Sequence, residues 1–416
     1  MKISIIADPH LNKTVYKSVS DKNISDLPFR TVDFMKAYEN AVDKIIKIKP
    51  DLNVVVGDVF DTFDPSNSVR VFFNNQIMKL SNADIPTVYI TGNHDVCRKH
   101  HPLEPILPFK IKCVKILDEP MFTPFKDKLL MFFPYSIKVE KGDIDIKQQF
   151  YEFINKTKEL IDKTEEIKGK DIIFFGHFPV RGGGLNNYNI EDGESLVIKK
   201  TIFNKNTKDI SLSDLDSIGA SYVFLGDFHR HQVLETKKCK AMYIGSLEKT
   251  DVSEIEEKKG FILYDSEANE DPILGKCKFI ENETCRPIVI LSGTIGNMEN
   301  QLKMIDKSDN AIVKIAFSGN SDELTAFSAN IESLKKRVKD KIDPIHVIHT
   351  QDVKDEEDSK KALEIEKDII EKGHIEAEDV LNVVNEMIQE KVFDKEEVII
   401  LEKMAADIYK DVKEEK

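Results

Sequence analysis

Short β-rich apolar runs punctuate the first 265 residues, at Ile3–Ala7, Asn53–Val56, Thr87–Thr91, Leu129–Phe133, Asp171–Phe175, Tyr222–Leu225, Met242–Ile244 and Phe261–Tyr264. Between them, apolar residues recur at helical spacing and predict helices around Thr31–Lys47, Asn67–Leu80 and Gln148–Ile167. Strands that are apolar on both faces, alternating with helices, are the pattern of a layered α/β domain whose sheet is covered on both sides.

A second pattern follows. Strand, helix, strand, helix and strand are expected at Ile288–Leu291, Met298–Ile305, Ala311–Phe317, Asp322–Lys339 and Ile345–His349, a small α+β module over 286–350. An acidic break, Asp352 to Asp358, then precedes three helical stretches. In the middle one Val380, Leu381, Val384, Met387 and Ile388 form an apolar stripe. The last opens on Asp394, with Glu397 three residues on, close to a capping box.

A chain of 416 residues with 41% apolar content suits two or three domains with sizeable cores. No run approaches the roughly 20 apolar residues of a membrane span, so a soluble, cytoplasmic protein without a signal peptide is expected. The five cysteines are scattered, and none forms a C-x-x-C pair, which argues against a disulfide framework or a zinc ribbon. The net charge of −14 is concentrated at one end. Residues 351–416 carry 22 Asp plus Glu against 11 Lys, leaving 49 basic and 52 acidic residues in 1–350. Acidity of the tail does not exclude an anionic substrate at the other end.

Candidate chemistry sits where the predicted strands end, the usual place for a site in an α/β sheet. The first strand runs into Asp8-Pro9-His10, the next into Gly57-Asp58-Val59-Phe60-Asp61, and the third into Gly92-Asn93-His94-Asp95. Later strands run into Gly176-His177 and Gly226-Asp227-Phe228-His229. Each piece alone is commonplace, but five in order point to a dinuclear site. A phosphodiester is anionic and resists attack, and two cations about 4 Å apart clamp its oxygens and lower the pKa of a water. Asp58 is the natural bridging carboxylate, and imidazoles and an amide complete the shells without excess charge. Asp8 and His10, two apart on extended backbone, are expected to point the same way. The glycines let backbone pass close to the ions.

These motifs resemble those of the calcineurin-like metallophosphoesterases and, within them, of the SbcD-type nuclease subunits of SbcCD complexes. Gly57-Asp58-Val59-Phe60-Asp61-Thr62 with Pro65 and Ser66 is similar to the second motif of that group. Tyr243-Ile244-Gly245-Ser246, Glu254 and Lys259-Gly260-Phe261 resemble the segment that closes its phosphoesterase domain. The likeness of motifs covers 1–265, and beyond that only the order of domains agrees.

The resemblance implies a β-sandwich flanked by helices over 1–280, a capping domain that assists DNA binding over 286–350, and a tail, 351–416, that binds a coiled-coil ATPase of SbcC type. It implies one ion held by Asp8, His10, Asp58 and His229, and a second by Asp58, Asn93, His177 and Asp227. His94 takes the place of the catalytic histidine, which contacts the scissile phosphate and protonates the leaving 3′ oxygen. Asp95 and Asp61 would orient ligands or His94. Two Mn²⁺, or Mg²⁺, suit this donor set. The implied activity is 3′→5′ exonuclease and single-strand endonuclease action on DNA, by a homodimer working with the ATPase.

One departure stands out. The family has G-H-x-H where this chain has Gly226-Asp227-Phe228-His229. Asp227 as ligand favours a harder cation, while an alternative register pairs His229 with His231. Arg30, Lys13 and Tyr16 are candidates for phosphate or base contacts, His100 and His101 for the rim of the site, and Arg181 to Gly184 for a loop on the DNA backbone. Two rival functions remain open, a phosphatase or phosphodiesterase acting on smaller substrates and a degenerate scaffold.

Overall fold

The computed structural model describes residues 1–14, 27–97, 113–181, 210–304, 309–319, 321–341 and 343–353. Two compact units are distinguished, one of 1–289 with 306–314 and 342–348, the other of 290–305, 315–341 and 349 onward. Along the first run β1 (Lys2–Ala7), α1 (Phe29–Ile48), β2 (Leu52–Val56), α2 (Asn67–Asn82), β3 (Thr87–Ile90), β4 (Val114–Leu117), β5 (Met121–Phe125) and β6 (Lys128–Phe133). Next come α3 (Ile137–Lys141), α4 (Ile146–Lys163), β7 (Asp171–His177), β8 (Val180–Arg181), β9 (Ile210–Ser211) and α5 (Leu212–Ile218). The series closes with β10 (Tyr222–Gly226), β11 (Gln232–Leu234), β12 (Lys240–Tyr243), β13 (Gly260–Asp265) and β14 (Cys277–Glu281).

Two six-stranded sheets result, in the orders β14-β13-β1-β2-β3-β4 and β11-β12-β10-β7-β6-β5. Strand alternation builds the layers. Ile3, Ile5, Ala7, Val54 and Val56 point from the first sheet onto Phe132, Ile173, Phe175 and Phe224 of the second. On the outer face of the first sheet, Ile6, Val55 and Tyr89 pack under α1 and α2 through Tyr38, Ala41, Phe73 and Ile77. On the outer face of the second, Met131, Phe133, Phe174 and Val223 meet Phe150 and Ile154 of α4 and Leu215 of α5. The architecture is therefore four layers, helix, sheet, sheet and helix, the layered α/β sandwich expected.

Local signals account for the helix ends. Asp145 caps α4 by accepting from Lys147 N and Gln148 N. Ser211 and Asp214 form a capping box at the start of α5. α4 stops at Lys163, short of the predicted Ile167, and the amides of Ile167 and Lys168 turn back onto the Thr164 carbonyl. β5, which the apolar pattern does not announce, carries Pro124 and lies at an edge of its sheet, where a missing N–H is tolerated.

The remaining elements are β15 (Ile288–Gly293), α6 (Ile295–Met304), β16 (Asp309–Gly319), α7 (Ser321–Lys341) and β17 (Asp343–Val353), with the strands in the order β15-β16-β17. This is the strand and helix order read from the sequence. Leu291, Met298, Leu302, Phe317, Phe327 and Leu334 are buried, and Phe317 stacks on Phe327 at 4.7 Å. The predicted C-terminal helices, with the stripe from Val380 to Ile388 and the Asp394 cap, lie outside the described residues.

Candidate metal centre

Parallel pairing brings the strand ends to one edge. Ala7 of β1 lies opposite Val56 of β2, Val56 opposite Ile90 of β3, and His177 of β7 opposite Gly226 of β10. Two hydrogen bonds then tie the sheets together at this edge. The Asp227 amide donates to Asp8 Oδ1 at 3.0 Å, and His177 Nδ1 lies 3.0 Å from the Val56 carbonyl oxygen.

The backbone here is not extended, as the Asp-x-His spacing suggested. Asp8, His10, Asp58 and Asp227 all have positive φ, at 47°, 43°, 48° and 100°. Such conformations are costly for side-chain-bearing residues and persist only where surroundings impose them. The His10 amide donates to the Asp58 carbonyl at 2.9 Å, and the Leu11 amide to that of Val59 at 2.9 Å. A tight turn therefore places Asp8 and His10 beside Asp58. Close approach requires glycine here: a Cβ on Gly57 would stand 2.0 Å from His177 Nδ1, and one on Gly92 2.1 Å from Asp58 Oδ1.

The donor atoms form two groups around one carboxylate. His10 Nε2 and His229 Nε2 are 2.9 Å apart, and His177 Nε2 and Asn93 Oδ1 are 3.0 Å apart. Neighbouring ligands of one octahedral ion with bonds of about 2.1 Å lie about 3 Å from each other. Asp58 turns Oδ2 to His10 Nε2 at 3.7 Å and Oδ1 to His177 Nε2 at 3.4 Å. Asp8, His10 and Asp58, all buried, form a set of donors within 4.8 Å of one another. Among the described residues Asp8 Oδ2 is buried without a hydrogen-bond partner. A buried carboxylate oxygen left unpaired costs free energy that a cation would recover. The residues fit a pair of divalent cations.

Electrostatics agree with the geometry. Burial pushes His10 down to about 4, against Asp61 and Asp58, so its ring is neutral near pH 7 and offers a lone pair. Burial likewise pushes Asp8 up to about 7, opposed by His177 and His229. Burial works against charge on Asp58, yet His177 and His10 hold it below the usual carboxylate range. Burial also works against charge on His177, but Asp58 and Asp8 hold it well above the usual imidazole range. Asp227 is pushed up by burial while feeling His177, Asp58, His229 and His94, which places it among the same groups. So many buried acids around imidazoles form a field that attracts positive charge.

The family model for calcineurin-like phosphoesterases matches residues 1–231. The chain belongs to that family. Among curated relatives, the "DNA double-strand break repair protein Mre11" of Sulfurisphaera tokodaii is 32% identical over 123 residues, 29% of this chain and 29% of that protein. Its namesake in Methanocaldococcus jannaschii is 26% identical over 269 residues, 64% of this chain and 62% of the relative. A subunit of the nuclease SbcCD from Staphylococcus epidermidis is 23% identical over 315 residues, 74% of this chain and 77% of the relative. A solved dimetal phosphatase from Danio rerio is 10% identical with a TM-score of 0.41, covering 68% of this chain and 98% of that one. The matches thus span under a third of the first relative and less than two thirds of the second.

Several other side chains of this phosphoesterase have settled surroundings. Asp95, expected to orient ligands or His94, is fully buried and accepts the amides of Val59 at 3.1 Å, Phe60 at 3.0 Å and Gly92 at 3.0 Å. It clamps the Asp58 turn and has no described contact with the His94 ring. His94 is exposed, and its Nδ1 is 2.9 Å from the Asp61 carbonyl oxygen, so Asp61 orients it through main chain. The Asp61 carboxylate meets His10 Nδ1 at 3.2 Å and Lys13 Nζ at 2.8 Å. His231 points elsewhere than His229: its Nδ1 is 2.8 Å from the Tyr243 carbonyl and its ring stacks on Phe279 at 4.7 Å. Arg30, a candidate for phosphate contact, is instead buried, with Asp33 at 2.8 Å and Glu248 at 3.6 Å. Buried carboxylates are costly when unpaired, and Arg30 shares the neutralisation of this acid pair with Arg286, whose Nε donates to Asp33 at 2.6 Å. Tyr16, His100, His101 and Gly182 to Gly184 lie outside the described residues.

Thr250 belongs to the same surroundings, although nothing in its local sequence points to it. Its hydroxyl lies 3.0 Å from His229 Nδ1, and a threonine in Glu248-Lys249-Thr250-Asp251 carries no motif that announces it. No helix among the described residues is long and apolar enough to cross a membrane.

Proposed function

We propose that the chain is a DNA nuclease subunit that cuts phosphodiester bonds with two Mn²⁺, or Mg²⁺. The observation that carries the hydrolytic reading is Asp58, whose two oxygens face two separate donor pairs, His10 with His229 and His177 with Asn93. DNA as substrate is supported by the relatives named for strand-break repair and for SbcCD. The match to the SbcCD relative covers 315 residues, more than the 231 of the family model.

Asp8, His10, Asp58 and His229 would hold one cation, and Asp58, Asn93, His177 and Asp227 the other. When bound, the cations supply charge neutralisation at the phosphate and a water made nucleophilic near neutral pH. The chain's own groups do the rest. The Val56 carbonyl accepts from His177 Nδ1, which leaves Nε2 to face the centre. Asp95 keeps the Asp58 turn in register. His94, exposed and held at Nδ1 by the Asp61 carbonyl, keeps Nε2 for the scissile phosphate and would give a proton to the leaving 3′ oxygen. The polarity, 3′→5′ with single-strand endonuclease action, belongs to this proposal. So do a homodimer, an SbcC-type ATPase partner and a domain arrangement of 1–280, 286–350 and 351–416.

The test is cleavage of labelled duplex and single-stranded DNA with Mn²⁺, beside p-nitrophenyl phosphate, for wild type and His94→Ala, with and without a co-expressed ATPase partner. DNA cleavage by wild type, reduced about 10²–10⁴-fold in a folded, metal-binding His94→Ala variant, is the expected result. Hydrolysis of the small ester alone would overturn the choice of DNA.

A further inference from the structure

Behind His229 lies a chain of polar contacts that the hydrolytic reading does not use. Thr250 Oγ1 is 3.0 Å from His229 Nδ1, and the same hydroxyl donates to Glu254 Oε1 at 2.5 Å. A threonine hydroxyl has one proton. With that proton given to a carboxylate, Oγ1 can only accept from the ring, so His229 must carry its proton on Nδ1. Nε2 is then a lone-pair donor, and it is the atom that faces His10 Nε2 at 2.9 Å.

The rest of the assembly holds this arrangement in place. Glu254 Oε2 accepts from the Thr250 amide at 2.7 Å, so one carboxylate fixes both backbone and side chain of Thr250. Lys259 Nζ, whose side chain is 0% exposed, lies 2.8 Å from Glu254 Oε2 and 2.8 Å from Glu257 Oε2. Its third proton goes to the carbonyl oxygen of His229 at 2.9 Å. An ammonium has three donors, and all three are spent here. The Ser246 amide donates to the same carbonyl at 2.9 Å. Ring orientation, tautomer and main chain of His229 are thus all set by one segment, 246–259.

We propose that Glu254, Thr250 and Lys259 are positioning residues of the cation centre, a carboxylate–hydroxyl–imidazole relay braced by a buried lysine that presents Nε2 of His229 to the ion. The inference rests on the cation centre proposed above and names what makes one of its imidazoles competent. A histidine held in the wrong tautomer would point a proton at the cation, and loss of such an outer partner typically weakens metal binding 10–100-fold.

Two measurements test it. In the metal-free protein with ¹⁵N-labelled histidine, long-range ¹H–¹⁵N spectra, assigned with His229→Gln, report which ring nitrogen carries the proton. Wild type should show His229 protonated at Nδ1, and Thr250→Val should lose that preference, while Thr250→Ser keeps it. In Mn²⁺ titrations followed by electron paramagnetic resonance, Thr250→Val should weaken one of two sites about 10–100-fold, with Thr250→Ser restoring it. Wild-type spectra and affinity in Thr250→Val, or a Thr250→Ser variant as defective as valine, would overturn the relay. Should valine prevent folding, Glu254→Ala, which leaves the Thr250 hydroxyl no acceptor at that position, decides by the same two readouts, and unchanged values there overturn the relay equally. A wild-type protein that takes up no Mn²⁺ would instead sink the underlying centre, while the metal-free spectra still judge the relay.

Discussion

His177 Nδ1 and the carbonyl oxygen of Val56 stand 3.0 Å apart, a hydrogen bond from the last residue of β7 to the last residue of β2. It joins two separate sheets, and it leaves Nε2 of the same ring facing Asp58 and Asn93. One contact thus serves the fold and the site together. Residues beside it should be intolerant of change out of proportion to their size.

Gly57 gives the sharpest case. Its φ is +77°, and a Cβ there would stand 2.0 Å from His177 Nδ1. Gly142 has the same φ of +77° with nothing within 4 Å of its Cβ position. Gly142→Ala is expected to cost only the conformational penalty of about 1 kcal/mol. Gly57→Ala pays that penalty and must also displace His177, so metal uptake should fall at least tenfold. Thermal melts and Mn²⁺ titrations on the pair separate the two effects, and equal behaviour of the two variants would show that the approach to His177 is tolerated.

Asp95 supports the turn from beneath. Its two oxygens accept three amides, from Val59, Phe60 and Gly92. Asp95→Ala leaves three buried donors unmet and should destabilise by about 3 kcal/mol or more in urea unfolding. Asp95→Asn retains one acceptor oxygen and should lose less. If Asp95 acted on His94 rather than on the turn, both variants would keep wild-type stability and lose only cleavage.

Acid sensitivity has a local source at α5. Burial works against charge on Asp214, but the Tyr151 hydroxyl, the Ser211 amide and Lys147 outweigh it and hold the carboxyl below its ordinary value of 3.8. A depressed carboxylate adds stability that is fully present above 3.8 and is lost as pH falls below it. The capping contribution is about 1 kcal/mol, and the Lys147 pair adds little because its ammonium is partly exposed. The stability difference between wild type and Asp214→Asn should therefore shrink as pH falls from 6 towards 2, read by urea unfolding at each pH. A constant difference would contradict this.

The two histidines after β10 should behave differently. His229 faces His10, whereas His231 is stacked on Phe279. His229→Gln is expected to weaken Mn²⁺ binding by 10-fold or more. His231→Gln should leave the metal count unchanged and cost only its packing and its hydrogen bond to the Tyr243 carbonyl. Weakened binding in His231→Gln as well as in His229→Gln would restore the alternative register, in which both are ligands.

Much of this was legible in the sequence because the informative residues are local. Apolar runs ending in Gly-Asp, Gly-Asn-His or Gly-His name both the strand and the side chain it delivers. The strands that escaped notice, such as β5 and β14, sit at sheet edges, where less burial means a weaker apolar signature. The turn that gives Asp8 and His10 positive φ escaped it too, since it is imposed by amide contacts to Asp58 and Val59 some 48 residues away. Thr250 and the reassignment of Arg30 to a buried charge cluster share that cause. Both depend on which distant segments pack together, which no spacing within one segment encodes.

Counting ions tests the central claim most directly. Metal analysis after equilibrium dialysis against Mn²⁺ should give two ions per wild-type chain and close to none for Asp58→Asn, because a single carboxylate serves both donor pairs. Two ions retained by Asp58→Asn, or none bound by the folded wild-type chain, would contradict the account.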